Sequence, residues 1–139
     1  MNPFEFEPKT VLKPWGEYEV VWSHLHAVRD EVMIKMLRVN PEQSLSLQSH
    51  VFRDEHWFVA RGEARVTYQT EYEIGSESVR MGVLKKGESI DIPRGSRHRL
   101  ANPCQSEILV VVEVLTGSPI IEDDIRRYED IYGRVLWQL

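Results

Sequence analysis

The sequence predicts an all-β sandwich or barrel carrying one short C-terminal helix. Three observations lead there. Short runs rich in Val, Ile, Leu and Tyr recur between seven prolines and eight glycines, the punctuation of a fold built from many short strands. Ser44 to His50 reads SLSLQSH and alternates cleanly, with Leu45 and Leu47 on one face. A helical period appears in the tail, where Ile121, Ile125, Tyr128 and Tyr132 recur at spacings of four, three and four.

Taken in order, the strand candidates begin with Gly16 to Trp22 (GEYEVVW), in which Tyr18 and Val20 alternate with acids. Glu31 to Val39 follows, and Asn40-Pro41 then marks a turn. Next come Ser44 to His50, Glu55 to Val59 before Arg61-Gly62, Ala64 to Tyr68, Val79 to Leu84, Ser89 to Ile92 and Ile108 to Leu115. The polar stretch Gln69 to Glu77 (QTEYEIGSE) interrupts the strands as an extended hairpin or a loop. Ser118-Pro119 has the form of a helix start, a Ser cap followed by Pro at the first position, and Gly133 that of a stop.

Length and composition bound the function. A chain of 139 residues with 42% hydrophobic and 28% charged residues is expected to form a single domain over 1–139, large enough to bury a core without staples. Its net charge of −5 argues against nucleic acid or an anionic membrane as the main partner. One cysteine, Cys104, excludes an internal disulfide framework and a multi-cysteine zinc site. The longest apolar run, Ile108 to Val112, is too short to span a bilayer, and the first residues lack the pattern of a signal peptide. The expected location is therefore cytoplasmic.

Two of the five histidines, His24 and His26, form an H-x-H pair in a polar stretch without accompanying carboxylates, and read as surface residues. The segment QSHVFRDEHWFVARG (48–62) is more informative. Gln48 and His50 share a strand face, and a turn through Arg53 and Asp54 would bring Glu55 toward them. His98, beyond the Pro93–Gly95 turn, offers a fourth donor. A mixed nitrogen and oxygen set of this kind suits a divalent metal.

These residues carry a resemblance. Gly87, Pro93, Gly95, His98 and Asn102 match the second cupin motif, and His50, Glu55 and Gly62 match the first with the right gaps. Glu42 stands where the first motif opens on Gly, and Gln48 where it has its first His. Gln-Ser-His followed by Glu-His-Trp resembles the cupin domain of type II mannose-6-phosphate isomerases, which also forms the C-terminal part of bifunctional mannose-1-phosphate guanylyltransferases. KPWGEYE (13–19), SLSLQSH (44–50), Arg53 and the closing EDDI, Arg127, Glu129-Asp130 and Tyr132 to Arg134 extend the likeness over roughly residues 11 to 134. Val51 and Phe52 replace a usual His pair, and Ala101 a usual Glu.

The resemblance implies a cupin jelly roll. It also implies a metal held by Gln48, His50, Glu55 and His98, with zinc favoured and Mn, Fe, Ni or Co compatible. The implied reaction is interconversion of mannose 6-phosphate and fructose 6-phosphate through an enediol, in which a metal stabilises the developing oxyanion. Arg99, directly after a ligand, is expected to contact substrate or intermediate. Arg53, Arg97, Arg127 and Arg134 are candidates for binding its phosphate, since the guanidinium fork matches phosphate oxygens. Trp57 shares parity with Glu55 and either stacks on sugar or fills the barrel. Lys35 and Glu113 are the candidate proton carriers: Lys35 shares parity with Leu37 and Val39, facing inward unless its strand lies at an edge, and Glu113 interrupts the run VVVEVL. A silent sugar- or metal-binding cupin, an epimerase and a dioxygenase are the rival readings. Open sheet edges lead us to expect a homodimer.

Overall fold

The computed structural model describes residues 7–24, 31–70 and 79–134. His26 and all but the first two residues of the Gln69–Glu77 segment lie outside them. Eleven strands follow one another: β1 (Lys9–Lys13), β2 (Gly16–His24), β3 (Glu31–Val39), β4 (Leu47–Ser49), β5 (Arg53–Arg61), β6 (Glu63–Gln69), β7 (Arg80–Lys85), β8 (Ser89–Ile92), β9 (Arg97–Ala101), β10 (Leu109–Gly117) and β11 (Arg126–Glu129). They form two antiparallel sheets in the orders β1-β2-β3-β10-β5-β8 and β11-β4-β9-β6-β7, packed face to face as a jelly-roll sandwich. No helix of the structure is long and apolar enough to cross a membrane.

Period-two alternation decides what each sheet turns inward. On β5 the buried residues are Arg53, Glu55, Trp57 and Val59, and on β10 they are Leu109, Val111, Glu113 and Leu115. Strand register lines them up in rows. Leu37, Val111 and Val59 lie side by side across β3, β10 and β5, and Lys35, Glu113 and Trp57 form a neighbouring row. Val39, Ala64, Val66, Leu100 and Leu109 complete the apolar side of the interior. The sandwich is thus apolar toward one end and polar toward the other. Burying the apolar rows stabilises by roughly 1.5–3 kcal/mol per large side chain, which supports the polar end.

The tail departs from the sequence expectation. Instead of a helix, Ser118 to Asp130 runs across the polar end as loop and turn, then adds β11 to the edge of the five-stranded sheet beside β4. Among the described residues there is no α-helix. Single long-range contacts fix this segment. Ile120 is buried, and its N–H donates to the Glu31 carboxylate at 3.3 Å. The Asp124 carboxylate accepts the N–H groups of Val51 and Phe52 at 2.8 and 2.9 Å. Ile121, required on the apolar face of the expected helix, is exposed. Tertiary bonds to the mouth of the sandwich override the helical spacing.

Glu42, at the position where the cupin motif carries Gly, has φ = +62°. The turn keeps the left-handed geometry that glycine adopts freely, with the Glu42 N–H bonded to the Cys104 carbonyl at 3.0 Å. A side chain in that region is strained by about 1–2 kcal/mol, offset in part by the entropy a glycine would lose. Glu42→Gly is therefore expected to raise the urea midpoint, by about 0.5 kcal/mol in stability. A lowered midpoint would contradict this account of the turn.

Candidate metal centre and its cavity

At the polar end three buried side chains converge. His50 follows β4, Glu55 lies on β5 and His98 on β9, and their donor atoms all lie within 4.8 Å of one another. Each imidazole is oriented from behind. His50 Nδ1–H donates to the Asp124 backbone carbonyl at 2.6 Å, and His98 Nδ1–H to that of Ser96 at 3.1 Å. Both Nε2 lone pairs are thereby turned into the site, as a metal-ligating histidine requires. They face Glu55: His50 Nε2 is 3.1 Å from Oε1, and His98 Nε2 is 3.7 Å from Oε2.

Lone pairs directed at a buried carboxylate repel unless a cation lies among them. Arg53 meets part of this need, with Nε donating to Glu55 Oε1 at 3.0 Å and Nη2 to His50 Nε2 at 3.2 Å. His98 Nε2 is buried with no hydrogen-bond partner at all. Trp57 Nε1–H donates to Glu55 Oε2 at 2.9 Å and so fixes the second carboxylate oxygen. Burial alone would raise the Glu55 carboxyl, but the charge and hydrogen bond of His50, helped by Arg53, hold it well below the usual carboxylate range. Burial also pushes His98 down to about 4, leaving it a neutral donor. Two imidazoles, one carboxylate and one orphaned lone pair fit a divalent metal.

Gln48 stands opposite His98 in the β4–β9 register, and its Oε1 accepts the Ser46 hydroxyl at 2.8 Å. It borders a cavity shared with Arg53, Lys35, Glu113, Tyr18 and Glu122, and with Lys13, Arg127 and Arg134. Lys35 lies on an interior strand and is only 6% exposed, so its ammonium points inward. It bonds Glu122 at 3.3 Å and sits 4.2 Å above the centre of the Tyr18 ring. Glu113, directly across from Lys35 in register, is equally buried and hydrogen-bonded to Glu55. Burial, and then the Glu55 charge, push its carboxyl up to about 8 against the pull of Lys35 and Arg53, so it is largely a neutral acid at neutral pH.

Among the arginines, Arg127 lines the cavity with its Nε buried and unpartnered. Arg134 borders the same space, but Asp130 holds it through Nε at 2.6 Å and Nη2 at 3.1 Å. Arg97 and Arg99 do not reach the cavity. They flank inward-facing His98 on β9, so alternation turns both to the outer face. There Arg97 covers the Tyr128 ring at 3.9 Å, and Arg99 bonds Glu129 at 2.5 Å. The expected contact of Arg99 and Arg97 with substrate is corrected on this ground. Trp57, 1% exposed, fills the interior beside Glu55 and His98 and does not line the cavity. Val51 and Phe52 are exposed on the turn between His50 and β5.

Three contributors were not assigned from the sequence: Asp124, which braces the His50 turn, and Tyr18 and Glu122, which meet at 2.5 Å beside Lys35. Their only sequence signal lay in the opening and closing segments of the family likeness.

Comparison with known proteins agrees with this geometry. The chain matches the family described as "Mannose-6-phosphate isomerase C-terminal" over residues 5–130. Among curated relatives, the mannose-1-phosphate guanylyltransferase ManC of Salmonella typhimurium is 39% identical over 127 residues, 91% of this chain and 23% of that protein. The alginate biosynthesis protein AlgA of Pseudomonas aeruginosa is 40% identical over 124 residues, 89% of this chain and 23% of that protein. The chain thus spans about a quarter of the length of these relatives. Among solved structures, the capsular polysaccharide assembling protein CapF of Staphylococcus aureus superposes with a TM-score of 0.68 at 15% identity, over 92% of this chain and 34% of that one. The Drosophila melanogaster CENP-C cupin domain gives 0.63 at 21%, over 77% and 74%. At such identities the structural likeness speaks for the fold.

The Glu122 contacts generate a pH prediction. Burial alone would raise this carboxyl, but Lys35, Tyr18 and Lys13 bring it below its ordinary 4.5. A depressed folded-state value contributes stability that is present above the unfolded value and lost as pH falls through the folded one. Glu122→Gln is therefore expected to flatten the fall in stability below about pH 4.5, by under about 1 kcal/mol given its solvent exposure. Denaturant midpoints measured against pH check this; an unchanged acid limb would contradict it.

Proposed function

The chain belongs to the mannose-6-phosphate isomerase C-terminal family, and from that premise we propose that it is a metal-dependent isomerase interconverting mannose 6-phosphate and fructose 6-phosphate. The observation that carries the reading is one juxtaposition. A donor set of His50, Glu55 and His98 adjoins a cavity walled by Lys13, Lys35, Arg53, Arg127 and Arg134. On a chain of net charge −5, five cations line this cavity against the carboxyls of Glu113 and Glu122; Lys35, Arg53 and Arg134 are ion-paired, and Lys13 and Arg127 are the two that favour an anionic substrate.

In this reading His50, Glu55 and His98 hold the metal, with the Gln48 amide oxygen as a fourth donor, and zinc is the favoured ion. When bound, the metal supplies Lewis acidity that stabilises negative charge developing on the sugar oxygens. The chain's own residues do the rest. Arg127, with an unpartnered buried Nε, takes the phosphate. Isomerisation moves a proton from C2 of the aldose to C1 of the ketose, while hydroxyl protons redistribute between O1 and O2. Glu113 and Lys35 face each other at this cavity and are the groups that accept and return that proton. Lys35 remains positioned by Glu122 at 3.3 Å, and its ammonium favours the anionic form of Glu113 that a base requires. Tyr18 carries Lys35 over its ring and locks Glu122, so it is a positioning residue. Cytoplasmic action follows from a phosphorylated sugar substrate and is part of the same proposal.

A coupled assay of metal-reconstituted protein, offered mannose 6-phosphate and read as fructose 6-phosphate, tests the activity. Metal-dependent turnover is expected, and its absence with metal bound would favour a sugar- or metal-binding role instead. His98→Ala and Glu55→Ala are each expected to lose stoichiometric metal by elemental analysis; a full complement in both would refute the ligand set. Glu113→Gln and Lys35→Met are expected to keep the metal while kcat falls about 10²–10⁴-fold, the usual worth of a positioned acid or base. An unchanged kcat in both would remove them from proton transfer.

A further inference from the structure

Arg53 and Glu55 stand two residues apart on β5, so alternation turns both side chains to the same inward face. Both are buried, as is His50. The Arg53 guanidinium reaches two acceptors at once: Nε donates to Glu55 Oε1 at 3.0 Å and Nη2 to His50 Nε2 at 3.2 Å. These acceptors lie 3.1 Å apart, close enough for one planar fork to bond both. They belong to the same three side chains that form the candidate metal centre.

The two acceptors differ in capacity. A carboxylate oxygen has two lone pairs and can serve Arg53 and a metal together. An imidazole nitrogen has one. The Nδ1–H of His50 is committed to the Asp124 carbonyl at 2.6 Å, so Nε2 carries the only lone pair of that ring. It can accept from Arg53 or bind a metal, and not both. Charge acts in the same direction. Among the described residues that ion-pair with Glu55, Arg53 alone is permanently charged. A divalent cation beside it would oversupply positive charge to one carboxylate and repel the guanidinium. Arg53 has room to yield, because it also lines the cavity with Gln48 and Glu113.

We propose that Arg53 holds the place of the metal: it competes with the ion for the His50 lone pair, and metal binding releases its Nη2 donor into the cavity. Arg53 is thus a positioning residue that couples metal loading to the cavity's capacity for an anion. The coupling is reciprocal, so an anion that draws the guanidinium into the cavity also favours the metal. The inference rests on the metal site of the reading above and not on its isomerase activity.

Zinc affinity of the whole chain, measured by competition with a chromophoric chelator, tests it. Arg53→Met is expected to bind zinc about 10-fold or more tightly than wild type, the worth of one hydrogen bond to a charged group no longer in competition. Lys13→Met removes a charge from the same cavity, at a side chain lying over the Tyr18 ring. It is expected to change zinc affinity less than about 3-fold. Thermal midpoints give a second readout: zinc is expected to raise the midpoint of Arg53→Met further than that of wild type, whereas a merely structural role would lower both forms equally. Should Arg53→Met not fold without zinc, Arg53→Lys keeps the charge but loses the fork, and is expected to tighten zinc by a smaller factor. Zinc affinity unchanged or weakened by substitution at Arg53, in a chain whose wild type binds zinc, would overturn the inference alone. So would an equal gain in Lys13→Met. No zinc binding by wild type would overturn the metal site and this inference together.

Discussion

A carboxylate sealed inside the sandwich is the constraint on which the rest of the polar end depends. Glu55 has almost no solvent access, and an isolated ion there would cost several kcal/mol or would take up a proton. It remains anionic because donors hold it: Arg53 Nε and Trp57 Nε1 bond its two oxygens, and the two imidazole Nε2 atoms that face it make the place where a cation would add to them. The remaining architecture holds those donors in place. Asp124 clamps the turn that carries His50, and Ser96 orients His98. The apolar rows toward the other end anchor the strands that deliver Glu55, Glu113 and His98.

The same charge organises the chemistry next to it. Burial and the Glu55 charge push the Glu113 carboxyl up to about 8, so that near neutral pH it is mostly the acid, with a minority of the carboxylate that can accept a proton. Lys35 is drawn toward Glu122 and held over Tyr18. An acid and an ammonium thus face one another across β3 and β10, within a cavity also lined by Lys13, Arg53, Arg127 and Arg134. For the proposed isomerase chemistry this separates the groups that would bind charge from the group that would change it. The loop that would have been a helix matters for the same reason. By crossing the mouth of the sandwich it delivers Glu122 and Arg127 to the cavity and Asp124 to the His50 turn, which a helix packed on the outside would not do.

Much of this was legible in the sequence because its signals are local. The alternation of EHWFV gives a strand and the inward faces of Glu55 and Trp57, whereas in SLSLQSH only Leu47–Ser49 is strand and the polar face with Gln48, not the leucine face, turns to the site. The motif spacing brings His50, Glu55 and His98 into one group. Strand parity also gave Lys35 its inward direction, and the interruption of VVVEVL singled out Glu113. Parity applied to RHRLA would likewise have turned Arg97 and Arg99 away from the cavity, since both adjoin His98. The family likeness of that segment outweighed this simpler rule. The tail was misread for a different reason. Its spacing of four, three and four imitates a helix, while its conformation is set by bonds to Glu31, Val51 and Phe52, some seventy or more positions away. No local pattern encodes such contacts. The roles of Tyr18 and Asp124 were hidden for the same reason.

The central claim is that two imidazoles and the Glu55 carboxylate form one cation site, so the most direct measurement is X-ray absorption at the zinc edge of the zinc-loaded chain. The account predicts a first shell of nitrogen and oxygen with the outer-shell scattering of two histidine rings, and loss of one ring's contribution in His98→Ala protein that still retains residual metal. A sulfur shell, which would implicate Cys104, or a shell without histidine scattering would contradict it.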